Sequence, residues 1–108
     1  MAKVRVTAIL PTERADGTPI PVSEVEDVVL EQKLASAPAT AWSQLGPALV
    51  PAGPTVSLDV NNVPAGNWVH RATFSDKLGG PDVVVVSNPL QIALSPMVGG
   101  SVGAVVVP

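Results

Sequence analysis

Polar and apolar residues alternate with a period of two along several short stretches of this chain, the pattern of strands that bury one face. Val4, Val6 and Ala8 alternate with Lys3, Arg5 and Thr7 until Pro11 ends the run. Val56, Leu58 and Val60 alternate with Ser57 and Asp59, and Asn61-Asn62 closes that strand. After a tight corner at Val63-Pro64-Ala65-Gly66, Trp68, His70, Ala72 and Phe74 share one face, and Val69, Arg71 and Thr73 the other. Val83–Val86 is an unbroken β-branched run. Leu90, Ile92 and Leu94 resume the alternation beyond Pro89, which marks an edge strand or a change of partner. A further short strand is expected over Ala41–Leu45, around Trp42.

The stretch from Val22 to Leu34 carries two patterns. Ser23 and Glu26 have capping-box spacing, and Val25, Val28 and Val29 have helical spacing. The β-branched Val28-Val29 and the crowding by Pro19 and Pro21 favour a strand over Val25–Lys33. The connections read as turns and loops: Thr12–Pro21 turning at Asp16-Gly17, the small residues 35–40, the Pro/Gly-rich segment Gly46–Pro54, and Gly79-Gly80-Pro81. No internal repeat is present. Twelve prolines, spread along the chain, argue against long helices.

Composition narrows the class. A chain of 108 residues fits one domain with a real but modest core. With 46% hydrophobic and only 14% charged residues, it is not a disordered tail. Its net charge is −3 and its six Lys and Arg are scattered, so it offers no footprint for nucleic acid or an anionic membrane surface. It has no cysteine, which excludes disulfides and thiolate chemistry. The N-terminal residues lack the apolar core of a signal peptide, and no apolar run is long enough to span a bilayer. The expectation is synthesis in a cytoplasm, with any outside location reached as part of an assembly.

Candidate chemistry is sparse. His70 is the only histidine, sits on the apolar face of its strand, and reads as a buried, hydrogen-bonded structural residue. No nucleophile-elbow motif accompanies it, so no catalytic residue is assigned and the chain is read as a non-enzyme. Glu24, Glu26, Asp27 and Glu31 are the densest acidic group but lack the spacing of a calcium loop. They read as a solvated face, and neither a metal nor any other cofactor is expected. Arg14-Ala15-Asp16-Gly17 is turn chemistry, since Ala15 spoils an adhesion tripeptide. Gly79-Gly80 lacks the strand–loop–helix setting of a phosphate cradle. Trp42 is either a strand-edge packing residue or a sugar-stacking surface, the former favoured because the chain has only three aromatics.

The corner Val63-Pro64-Ala65-Gly66-Asn67-Trp68, followed by inward His70, Ala72 and Phe74, resembles that of a fibronectin type III domain before its penultimate strand. Ser87-Asn88-Pro89-Leu90 resembles the lead-in to the last strand, and Leu10-Pro11 with Asp16-Gly17-Thr18-Pro19-Ile20 resembles the loop after the second. The resemblance covers residues 4–94 and rests on turns. It departs from the family in three ways. Trp68 replaces the corner tyrosine whose hydroxyl pins the backbone, no core tryptophan stands near Ile9, and the first strand is missing. The resemblance implies an all-β, immunoglobulin-like two-sheet sandwich of about six or seven strands. It would occupy residues 1–95, with an apolar arm over 96–108.

Without a first strand, Val4–Ile9 would be an exposed edge. The arm ends in Val105-Val106-Val107 and is either a strand that adds to a sheet edge, its own or a neighbour's, or a frayed tail. Stand-alone modules of this type resemble accessory proteins of tailed-phage particles: capsid decoration, head-fibre or tail proteins. The implied function is structural, through contacts with other virion proteins or copies of itself, and in such particles also with a host surface. The implied location is the virion. The interface residues expected are Trp42, Leu45, Leu49, Val102, Val105, Val106 and Val107. The alternative is a bacterial adhesion or carbohydrate-binding module using Trp42.

Overall fold

The period-two stretches become strands because each can bury one face and leave the other in water. In the computed structural model, which describes residues 1–93 and 100–107, they form β1 (Ala2–Ile9), β2 (Val25–Leu34), β3 (Ser43–Gln44), β4 (Thr55–Val63), β5 (Gly66–Asp76), β6 (Val83–Val86) and β7 (Leu90–Ile92). Leu94 and the expected boundary at residue 95 lie outside the described residues. β1 and β4 pair as one two-stranded antiparallel sheet. The other sheet has five strands in the order β3-β2-β5-β6, with β7 also on β5. Val4, Val6, Ala8 and Leu10 meet Val25, Val28, Leu30, Leu45, Val63, Ala72 and Phe74 in a single core.

The double pattern of residues 22–34 has a simple cause. Val22–Glu24 makes a single 3-10 turn, and the strand follows from Val25 to Leu34. The pairing with β5 shifts by one between Val25 and Val28, so an extra residue there lets two valines three apart face the same core. A bulge therefore produces the helix-like spacing.

A second bulge corrects the expected end of β4. Asn61-Asn62 does not stop the strand, which runs on to Val63. The register with β1 shifts between Ala2 and Val4, and Asn62 takes φ 59, a left-handed conformation that asparagine tolerates better than most residues. The shift brings Val63 into the core, where it is almost fully buried.

At the following corner the Trp68 indole Nε1–H donates to the Pro64 carbonyl at 3.0 Å. Trp68 has no hydroxyl to pin the backbone, and its indole N–H holds this corner instead. At the far end of β5, Arg14 from the Asp16-Gly17 loop donates from Nη1 to Asp76 Oδ2 at 2.7 Å and from Nη2 to Oδ1 at 3.3 Å. That fork fastens the long first connection onto the sheet.

The segment Gly46–Pro54, read as loop, is without strand but not detached. Leu45 N–H donates to the Leu30 carbonyl at 2.8 Å, and Val28 and Leu49 exchange backbone bonds of 2.8 and 2.9 Å. Leu45 is buried and Leu49 packs partly buried against the core. Both were expected at an interface; they belong inside instead, because the chain continues along the edge of β2 after β3 ends.

Candidate protein interface

Residues paired across a sheet point to the same side. Val83 pairs with Phe74 and Val85 with Ala72, so both valines face inward with the core. Yet Phe74 and Ala72 are only 3% and 6% exposed, while Val83 and Val85 keep 45% and 49%. Leu90 pairs with Trp68 and is also exposed. The reason is the unequal layers: two strands face five, and the smaller layer ends before it covers β6 and β7.

A cleft of about 290 Å³ opens at this seam, lined by Val6, Ala8 and Ile9 of β1, His70 and Ala72 of β5, and Val85 and Val86 of β6. β1 bonds to β4 along one edge, and among the described residues no strand bonds its other edge. Among the described residues β6 likewise pairs only with β5. The seam therefore has an apolar floor between two free backbone edges. Val83 and Val85 were read as strand residues and missed as surface. The available signal was a run of four valines with no polar alternation beside Pro89, since one-sided burial would have left polar residues at every second position.

His70 forms part of the seam wall. Its backbone N–H donates to Ser87 Oγ at 3.0 Å, and Ser87 N–H donates to the His70 carbonyl at 2.8 Å. The ring is buried as expected, but its Nε2 has no hydrogen-bond partner among the described residues, which corrects the expectation of a bonded ring. Burial pushes its pKa below the ordinary value. The unfolded chain takes a proton as pH falls through about 6.5, while the folded chain resists it, so stability falls with pH in that window.

A second loss follows in more acidic solution. The hydrogen bond from Arg5 holds the Asp59 carboxyl low, and that from Arg14 holds Asp76 low. Each contributes stability above its unfolded pKa and loses it as pH falls through the lower folded value. Calorimetric melting from pH 8 to pH 3 should therefore show two declines, and His70→Leu should remove the first and leave the second. An unchanged slope near neutrality in that variant would mean that His70 is not its source.

The other expected residues fall elsewhere. Trp42 lies half-buried beside the outer face of the large sheet, with the Arg71 guanidinium 4.5 Å and Lys33 Nζ 5.3 Å from its ring centroid. Glu31 Oε1 accepts bonds of 2.8 and 3.0 Å from Arg71, holding the guanidinium over the ring. A sugar would have to compete with these cations for the aromatic face. Val102, Val105, Val106 and Val107 are all strongly exposed and lie in no strand. The acidic group is divided, Glu31 pairing with Arg71 and Glu24 lying 3.5 Å from Arg14. Among the described residues no three His, Asp or Glu gather as metal ligands.

Comparison with known protein families, with curated proteins and with solved structures found no match to this chain.

Proposed function

We propose that this protein is a non-enzymatic structural module of the immunoglobulin-like, fibronectin type III kind, which acts through protein–protein contacts as an accessory component of a phage particle. The strand order supports the fold type. β1 beside β4 in one layer, and β2, β5 and β6 in the other, is the arrangement left when such a sandwich lacks its first strand. The observation that carries contact-making is the inward-facing but half-exposed Val83 and Val85. Apolar side chains oriented for burial and left in water are surface that a partner stabilises. The particle setting rests on the resemblance to modules of tailed phages.

The test is mass spectrometry of density-purified particles from cells that carry this sequence. The chain is expected at a fixed copy number per particle. Its presence in the lysate but not in particles would overturn the setting.

A further inference from the structure

The seam offers two free edges and an apolar floor, and the same chain carries an unused strand that suits them. Gly100–Val107 has no charged residue, and Val102 and Val106 are 99% and 100% exposed. The molecule measures 86 Å along one axis against 28 and 25 Å across. Its radius of gyration is 20.9 Å, against roughly 13 Å for a compact chain of this length. The described part of the arm has therefore not folded onto its own body.

We infer that the seam between β1 and β6 accepts Val102–Val107 of a second copy of this chain as an added strand. The inference rests on the contact-making reading and names the partner. Six extended residues span about 20 Å, within the length of the eight-residue β1. Lying along β1, the added strand supplies backbone groups to its free edge and makes the small layer three strands wide. It then lies opposite β6, and its inward side chains cover Val83 and Val85. Either register works, because Val102, Ala104 and Val106 alternate with Gly103, Val105 and Val107 and both sets are apolar. An uncharged strand also suits this floor, where His70 is buried and the one charged lining residue, Arg71, is already paired with Glu31. Reciprocal exchange closes a pair, and one-way exchange builds a chain of copies.

The experiment uses full-length chains in analytical ultracentrifugation with amide hydrogen exchange. The unmodified protein is expected at twice its 11.0 kDa mass or more. The seam variant Val85→Lys and the arm variant Val105→Lys/Val106→Lys are each expected at monomer mass. Mixed together they should form one-to-one pairs, since the first keeps a good arm and the second a good seam. Exchange needs no seam variant: the β1 amides that face away from β4, and those of Val102–Val107, should be protected in the unmodified chain and exposed in the arm variant, while the β1 amides bonded to β4 stay protected in both.

An unmodified chain at monomer mass overturns the inference, and if its arm amides are protected the arm fills its own seam. Assembly that survives either variant, or a mixture that forms no pairs, also overturns it. A monomer that still travels with particles sinks the strand exchange and leaves the proposed function standing. Exchange in a chain absent from particles sinks only the particle setting.

Discussion

Leu30→Ala is expected to destabilise the protein by about 2–5 kcal/mol, since Leu30 is the largest of the almost fully buried side chains among the described residues. Leu30 is 1% exposed and sits mid-strand in β2, paired with Ala72 across the sheet. Its backbone carbonyl also accepts the Leu45 N–H, so the side chain lies where β2, β5 and the β3 edge meet. Truncation removes buried methyl groups and leaves a cavity that paired strands on both sides prevent from collapsing. Domains of this size have about 5–15 kcal/mol in all, so the variant should sit close to unfolding. Urea titration should show a lower midpoint with an unchanged slope. Leu78→Ala is the control: Leu78 is exposed near a turn, and the change should fall within about 0.5 kcal/mol. Equal losses at the two sites would place the core elsewhere.

Gly66→Ala is expected to cost about 1–3 kcal/mol. Gly66 opens β5 at φ 146, a backbone region that side chains disfavour. A Cβ there would lie 3.1 Å from Leu34 Cδ2 and 3.7 Å from Trp68 Nε1, the atom that pins the corner. Leu34 can give way at its flexible end, so backbone strain is the larger part. Trp68→Phe keeps an aromatic ring and drops the N–H, and should cost about 1 kcal/mol. If both act on one corner, the double variant should lose less than the sum. Strict additivity in thermal melts would mean that the indole bond and the glycine conformation are independent.

The faces of the strands were legible because period two needs only the local sequence. Val4, Val6 and Ala8 are buried between exposed Lys3, Arg5 and Thr7, as the alternation implies. Which strands neighbour one another was not legible, because pairing is chosen by contacts distant in sequence. The bulges at Glu26-Asp27 and Asn61-Asn62 break the period: the first gives a stretch rightly favoured as strand a competing helical spacing, and the second mimics a strand end. Leu49 was misplaced for a related reason. Prolines signal loop through the donors they lack, but the residues between them still bond to β2, and Leu45, at the end of its expected strand, bonds there too. The seam itself arises from the unequal width of the layers, a property of the whole topology that no single stretch of sequence carries.

That topology also sets when the protein becomes safe during its synthesis. β1 is made first, but its partner is β4, with Arg5 facing Asp59 54 residues later. At about 5–20 residues per second, the nascent β1 waits roughly 3–11 s for a partner. During that interval its alternating valines are open to any extended segment nearby, including one from another ribosome on the same message. Slow translation should therefore lower soluble yield, and a chaperone that shields the first strand should restore it.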